Sequence, residues 1–430
     1  MSVLEAIQGR LLPTRPGGTN RATLREHAEM HGVLEMSASE DLAWNEQVRE
    51  QVLASGLRGR GGALFPTAKK WSSLGVTRRR PIVVVNGMES EPASLKDGLL
   101  LFQAPHLILD GAEVAATVTG AREIIICIAD KNDTSAASVE SALRERGDAK
   151  LVRHKTSIQR PPGRYVSGEE SALVSWINRR RSLPAMRFDK SIPLEVSGHP
   201  TVVHNCESLS HVALIARHGS GWFRQLGTED APGSTLVTVS GALSSSRVLE
   251  IEFGMPVIDI LEMAGVDTDL AGVLVGGYGG AWLAAQNLAT PYAPGPLAAA
   301  GATMGVGVIV ALPASSCGIA ETARIARFMA SESAGQCGPC VFGLPALAAD
   351  LEQLAAGSAD GNLMARMVSR ADIIEGRGAC RHPDGVVRLV CSMMSTFSKD
   401  VLEHAAGRPC SGHAFRSVMT FPVVPTIGTA

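Results

Sequence analysis

Short apolar runs alternate with amphipathic stretches through the first half of the chain. PIVVVNG (81–87) is apolar, β-branched and bounded by turn residues, which reads as a buried strand. EIIICIA (123–129) reads as a second buried strand and KLVRHK (150–155) as a third. Residues 46–58, 99–120 and 135–147 have helical spacing; in the first, Val48, Val52 and Leu53 share one side. Strands and helices in alternation predict an α/β layer fold with a parallel sheet.

The pattern changes after TEDAPG (228–233), which reads as a linker. TLVTVSGAL (235–243) is a strand and turn, VLEIEFG (248–254) alternates apolar and polar, and PVIDILEMAG (256–265) is a short helix ending at Gly265. A hairpin followed by a helix suggests a small β-grasp module. Residues 270–320 contain no Asp, Glu, Lys or Arg. A membrane span needs about 20 mostly apolar residues in one helix, and Gly276, Gly277, Pro291, Pro294 and Pro296 interrupt this stretch. Short buried strands and turns are therefore expected, with no direct membrane span. Ile325, Phe328 and Met329, then Leu344, Leu347, Leu351 and Leu354, recur at helical spacing and predict a helical bundle. The resulting division is a polar N-terminal arm (1–45), an α/β domain (46–228), a β-grasp domain (234–315) and a helical domain (320–408).

Composition narrows the function. A chain of 430 residues is expected to hold two to four domains. A formal net charge of −2 gives no electrostatic case for nucleic acid. The N-terminus lacks the pattern of a secretory signal, so a cytoplasmic location without disulfides is expected. Of eight cysteines, Cys127 lies in the apolar run IIICIA and reads as core. Cys337 and Cys340 form a C-x-x-C pair at a helix connection, a spacing that points to metal, cluster or redox chemistry. Arg179, Arg180 and Arg181 read as a solvated helix end.

The segment SGLRGRGGALFPTAKKW (55–71) has consecutive glycines that let backbone approach a phosphate or a flat ring, and Lys70 could pair with a phosphate. It lacks the full G-x-G-x-x-G spacing, and alone would read as a surface turn. Three more segments follow: NGMESEP (86–92), directly after a predicted strand; GRYVSGEESAL (163–173), with Gly168, Glu169 and Glu170 at the mouth of a helix; and HPTVVHNCESL (199–209). SAGQCGPCVFG (333–343) and Cys380 close the set.

In this order, over roughly residues 50–400, these segments resemble the family of flavin-bearing 51 kDa subunits of respiratory complex I. That family is the F-subunit type of NADH-quinone oxidoreductase, and it includes the diaphorase subunits of soluble hydrogenases and formate dehydrogenases. It carries GRGGAGFPTGxKW, NADESEPG, GEETAL, KPTTVNNVETL and SCGKCTPCREG. The resemblance implies a Rossmann-like FMN-binding domain, an SLBB-type β-grasp domain and a helical bundle with an iron–sulfur site. It places FMN against Gly59, Arg60, Gly61, Lys70, Asn86, Ser90, Tyr165, Gly168, Glu169, Asn205 and Ser208. It places a nicotinamide donor against Gly62, Ala63, Phe65, Glu91 and Glu170. Hydride transfer to flavin needs no catalytic acid or base from the protein. The cluster ligands it implies are Cys337, Cys340 and Cys380, and the implied partner is a ferredoxin, a ferredoxin-like subunit or other subunits of a redox complex. Any membrane attachment would run through those partners.

Departures from the family pattern matter. Met88 replaces an acid, Leu64 a glycine and Ser73 an aromatic; Lys190 stands at a second aromatic position and Arg187 at a lysine. Losing both rings should weaken adenine stacking, worth about 1–3 kcal/mol per base. Arg187 and Lys190 instead suit a 2′-phosphate and hence NADPH. Ala334 stands at the first cluster position. Three thiolates suit a [3Fe–4S] cluster, or a [4Fe–4S] cluster with a fourth ligand from His382 or Cys317. Cys206, Cys391 and Cys410 are expected to pack as small apolar residues. Two other readings stand beside the leading one: a flavoprotein with a non-nicotinamide donor, and a catalytically silent assembly subunit.

Overall fold

A computed structural model of the protein describes residues 9–12, 21–34, 36, 41–74, 79–186, 192–410, 412 and 417–421. The N-terminal segment is more than a polar wrap. Leu11 is fully buried in the same core as Val83 and Val85, and its backbone N–H donates to Glu250 Oε2 at 2.9 Å. Helix α1 (Leu24–His31) opens on a reciprocal Thr23–Glu26 cap. The ring of His27 in α1 lies 2.7 Å from Asp110 Oδ2.

The chain then builds α2 (Leu42–Ser55), α3 (Thr67–Ser72), β1 (Ile82–Gly87), α4 (Lys96–Gln103), α5 (Pro105–Thr119), β2 (Glu123–Ile128), α6 (Asp133–Asp148) and β3 (Lys155–Gln159). After these come α7 (Glu170–Arg179), β4 (Leu194–Val196), β5 (His199–Asn205) and α8 (Cys206–Phe223). The five strands lie in the order β3-β2-β1-β5-β4, all parallel except the β4 edge. The expected α/β layer is present, with Cys127 fully buried in β2. α5 and α8 cross so closely that a Cβ on Gly111 would sit 1.9 Å from the carbonyl oxygen of Leu209.

One strand differs from expectation. The third begins at Lys155, not at residue 150. Lys150 turns the chain at φ +57°, leaving Leu151 and Val152 exposed. His154 is drawn to α5 instead, its Nδ1 2.6 Å from Glu113 Oε2. Arg179, Arg180 and Arg181 are exposed as expected, with the Arg180 guanidinium over the Trp176 ring.

A second sheet follows from β6 (Ser234–Gly241), β7 (Arg247–Glu252), α9 (Val257–Ala264), β8 (Leu270–Val275), β9 (Ala281–Ala284), α10 (Pro294–Ala299) and β10 (Val308–Pro313). Its order is β7-β6-β10-β8-β9, with β6 and β10 parallel and the other pairs antiparallel. The charge-free stretch thus becomes strands and turns, with the short helix α10 among them. No single described helix is long and apolar enough to cross a membrane.

The C-terminal part is helical: α11 (Gly318–Ser331), α12 (Leu344–Ala355), α13 (Leu363–Ile374), α14 (His382–Thr396) and α15 (Ser398–Ala405). Ile325, Leu347, Leu351, Leu389 and Met393 form its core. The C-x-x-C pair lies between α11 and α12, leading into a π-helical turn at Pro339–Gly343. Cys206 is buried as expected, but Cys391 is exposed because it faces outward from α14.

Candidate functional site

From β1 the chain continues to β2 on one side, while β5 flanks β1 on the other. The crevice beyond the carboxyl ends of β1 and β5 is therefore a switch point, where open α/β sheets bind ligands. Asn86 and Asn205 are register partners there. Asn205 caps α8 by accepting the Glu207 N–H at 2.9 Å and donates to Asp97 Oδ2 at 2.7 Å. Asn86 donates to the Gly168 carbonyl at 2.9 Å. Glu169 caps α7, accepting the Ala172 N–H at 2.9 Å, and burial pushes its carboxyl up. Two helix N-termini thus converge on one crevice, a setting that favours an anion. Lys70 brings a partly exposed ammonium, held by Glu170 Oε2 at 2.9 Å and the Val203 carbonyl at 2.7 Å.

The glycine turn forms the crevice's third side. Gly61, Ala63 and Phe65 are exposed, and a Cβ placed on Gly61 would meet only the Asn205 Cβ, at 3.4 Å. Gly62, at φ +100°, lies against Val306 and Gly305 of the second sheet's domain. The turn is fixed from behind: the Arg60 N–H donates to Ser208 Oγ at 2.8 Å and the Gly59 N–H to the Phe65 carbonyl at 2.9 Å. The buried Arg60 guanidinium points away from the crevice, donating to the Ser234 carbonyl at 3.0 Å over the Phe253 ring. Burial lowers its pKa to about 10. Ser90 stands so close to Gly168 that a Cβ on Gly168 would be 2.3 Å from Ser90 Oγ. Among the described residues no bulky side chain lies over Gly61. A glycine face, an ammonium, two asparagines and two helix N-termini together fit a flat mononucleotide.

Several residues singled out in the sequence lie behind this surface. Glu91 is buried, its Oε2 accepting the Tyr278 N–H at 2.9 Å and the Tyr165 hydroxyl at 3.2 Å. The glycine run 275–282 docks on it: a Cβ on Gly277 would be 2.6 Å from Glu91 Oε2. Met88 is buried among Ile82, Val84, Ile125 and Cys127, surroundings in which an acid would be unpaired. Ser73 is exposed, donating to the Lys70 carbonyl. Leu64 takes φ +52° and packs partly against the second sheet's core. Arg187 and Lys190 lie outside the described residues.

Burial pushes Glu91 up to about 7. The folded protein then keeps a proton that the unfolded chain releases, so stability falls as pH rises from the ordinary glutamate range to about 7. Glu89 and Glu250, also pushed up to about 7 chiefly by burial, act in the same direction. Glu91→Gln is expected to flatten this dependence and to add on the order of 1–2 kcal/mol at pH 8. Chemical unfolding at pH 5 and pH 8 tests it; an unchanged pH slope rules it out.

One supporting group carries no sequence signal. Lys96 Nζ is buried 2.9 Å from both Asp97 Oδ1 and Glu207 Oε2, and Asp97 in turn holds Asn205. In SLKDG a lysine and an aspartate opening a helix look like solvated surface. Only the fold buries them.

Cys337, Cys340 and Cys380 line a single pocket with Ala334, Val166 and His382. The Cys340 N–H donates to the Cys337 carbonyl at 3.0 Å, and burial pushes its thiol up to about 12. His382 is buried, with Nε2 2.8 Å from the Met329 carbonyl. That bond places the ring proton on Nε2, and burial keeps the ring neutral. Its Nδ1 is buried without a hydrogen-bond partner among the described residues. Three thiols and an unpartnered imidazole nitrogen make a donor set that fits an iron–sulfur cluster. Cys317 is not part of it. Its Sγ lies 3.7 Å from His404 Nε2, near Cys410, so it is no fourth ligand here, and Cys410 is not merely an apolar filler.

The crevice and the pocket share a wall. In the 3-10 turn Tyr165–Gly168, Val166 lines the cysteine pocket while the Gly168 carbonyl holds Asn86.

Comparison with known proteins matches the two regions in which these sites lie. Residues 52–214 match a family model described as the Nuo51 FMN-binding domain, and residues 320–404 match the NADH-ubiquinone oxidoreductase-F iron-sulfur binding region. The NADH-quinone oxidoreductase F subunit of Streptomyces coelicolor is 30% identical over 372 residues, covering 84% of this chain and 83% of that one. One such F subunit of Rhizobium meliloti is 28% identical, covering 86% of this chain and 91% of that one. Among solved structures, a chain of an NAD+-reducing [NiFe]-hydrogenase in the air-oxidized state superposes with a TM-score of 0.79 at 28% identity. That match covers 91% of this chain and 67% of the other.

Proposed function

Since this chain belongs to the family of NADH-quinone oxidoreductase F subunits, we propose that it takes hydride from a nicotinamide nucleotide at its crevice and passes electrons through an iron–sulfur cluster to a partner. The shared Tyr165–Gly168 wall carries this reading, because it sets the two cofactor sites side by side. When bound, FMN splits the electron pair of a hydride into single electrons, and the cluster carries single electrons onward.

The chain's own residues bind and orient. Gly61 offers a side-chain-free face for the ring, while Gly59 and the Arg60 backbone shape the turn. Lys70 and the N-termini of α7 and α8 hold the phosphate end, with Asn86, Asn205 and Glu169 beside them. Ser90, Tyr165, Gly168 and Ser208 brace that surface, the last through the Arg60 N–H. Gly62, Ala63, Phe65 and Glu170 border the open side, where the donor would lie. Glu91 acts from behind this surface, holding the turn at Tyr278 through its N–H. Arg187 and Lys190 are assigned to a 2′-phosphate.

Cys337, Cys340 and Cys380 are the thiolate ligands, and we assign His382 Nδ1 as the fourth of a [4Fe–4S] cluster. The order of the second sheet, with β6 in parallel beside β10, supports a β-grasp domain of SLBB type over residues 234–315. The divisions 46–228 and 320–408 belong to the same proposal. So do a ferredoxin-like partner, flux in either direction, and a cytoplasmic location with any membrane contact made through partner subunits.

Visible spectra of fresh, anaerobically purified protein test the reading. Flavin bands should bleach on adding NADPH or NADH, with the lower KM for NADPH. Bleaching by dithionite but by neither nucleotide would shift the assignment to another donor, which the exposed Ser73 favours. Colourless protein would leave only an assembly role. His382→Ala is expected to convert the cluster to a [3Fe–4S] signal in EPR, and adding Ala334→Cys to restore the four-iron form. An unchanged EPR spectrum in His382→Ala rules out the histidine ligand.

A further inference from the structure

A third set of donors meets where the last described helix ends. Cys317 caps α11, its Sγ accepting the Ala320 N–H at 3.4 Å. His404, fully buried in α15, has Nδ1 3.1 Å from the carbonyl oxygens of both Leu354 and Ala355. Those acceptors place the ring proton on Nδ1 and leave a lone pair on Nε2. Nε2 accepts the Cys410 backbone N–H at 3.1 Å and lies 3.7 Å from Cys317 Sγ. With Cys410 Sγ, the three ligand atoms lie within 4.8 Å of one another.

Metal–ligand bonds of about 2.3 Å to sulfur and about 2.0 Å to nitrogen give a tetrahedral sulfur–nitrogen edge of roughly 3.5 Å. The observed 3.7 Å matches that edge. The two carbonyls behind Nδ1 supply the outer hydrogen bonds that orient a ligating imidazole. Nothing in the flavin and cluster reading uses these residues, and they line no part of the Cys337–Cys380 pocket. We propose that Cys317, His404 and Cys410 bind a zinc ion that pins the chain beyond α15 to the start of α11.

Binding releases one proton from each thiol, and the two thiolates balance the 2+ charge. The metal takes the Nε2 lone pair now shared with the Cys410 N–H, which must turn aside. Cys410 is half-exposed and gives the ion its way in, with water in the fourth position. The segment is already close: a Cβ on Gly412 would lie 2.5 Å from the Ser315 carbonyl oxygen and 3.0 Å from the Cys317 nitrogen.

The test is metal analysis of the full chain purified anaerobically under reductant. One zinc per chain is expected in addition to iron. Cys410→Ser should lower zinc retention against a chelator by more than roughly 100-fold, because losing a ligand costs more than losing an outer-shell partner, while iron is unchanged; Cys391→Ser should leave zinc unchanged. Cobalt added to zinc-stripped wild type should give a thiolate-to-cobalt charge-transfer band that Cys410→Ser lacks. Should Cys410→Ser fail to fold, His404→Gln takes its place, and a cobalt band kept in His404→Gln but lost in Cys337→Ser overturns the proposal. Reduced wild type with no zinc and no such band overturns the proposal, as does a Cys317–Cys410 disulfide found in its place.

Discussion

Gly61→Ala is expected to abolish flavin retention through purification while leaving the fold intact. Gly61 does not adopt positive φ, and the added Cβ meets only the Asn205 Cβ at a tolerable 3.4 Å. The folded apoprotein therefore has little reason to object. A flat ring lying on that glycine must instead move out by about the width of a methyl group, losing contact with the turn. A fall in affinity on the order of 100-fold, about 3 kcal/mol, follows. Fluorescence titration of FMN into the apoprotein measures it, alongside the thermal midpoint. Equal flavin affinity in the variant would show that the ring does not rest on Gly61 and would remove the basis of the redox assignment. Gly168→Ala makes a useful contrast. Its Cβ collides with Ser90, so stability and flavin affinity should fall together.

Lys96→Met is expected to cost about 3–5 kcal/mol of stability. Burial opposes the charge on Lys96, but Asp97 and Glu207 outweigh it and hold the ammonium above the usual lysine range. Glu207 is also tied to the second sheet: its Oε1 accepts from the Thr235 hydroxyl at 2.8 Å and the Leu236 N–H at 2.9 Å. Methionine fills the same volume, but it leaves Asp97 buried without its cation and Glu207 with only the Arg60 guanidinium, whose Nε is 3.6 Å from Oε1. The effect should reach the crevice as well, because Asp97 anchors the Asn205 amide. Urea unfolding of the holoprotein gives the stability change, and flavin titration the local one. A loss below about 1 kcal/mol would mean that solvent or neighbours compensate the carboxylates.

Much of this architecture is legible in residue order. β1 and β2 are runs of β-branched residues buried on both faces, so their periodicity leaves little alternative. The edge strand β3 is half-polar, and the apolar pattern points to residue 150 rather than Lys155 because LVRH offers as much apolar character as the true strand. The glycine turn, the two asparagines and the C-x-x-C pair are legible because each is a local device with its spacing fixed by backbone geometry. Cys317 is not. Its nearest chemical partner, His404, is far along the chain and has no ligand spacing to mark it, so proximity in sequence points Cys317 to the wrong pocket.

Taken alone, the order of residues determined that a parallel α/β layer precedes a hairpin-and-helix module and a helical bundle, and that glycines and thiols are concentrated at two points. Hydrophobic period and turn chemistry act over a few residues and so are visible in one dimension. Only tertiary structure decided that Glu91 braces the crevice from behind, that Lys96 is a buried cation, and that His382 and His404 each stand beside cysteines from distant segments. Burial and donor sets depend on which distant segments meet, and packing settles that after local structure has formed.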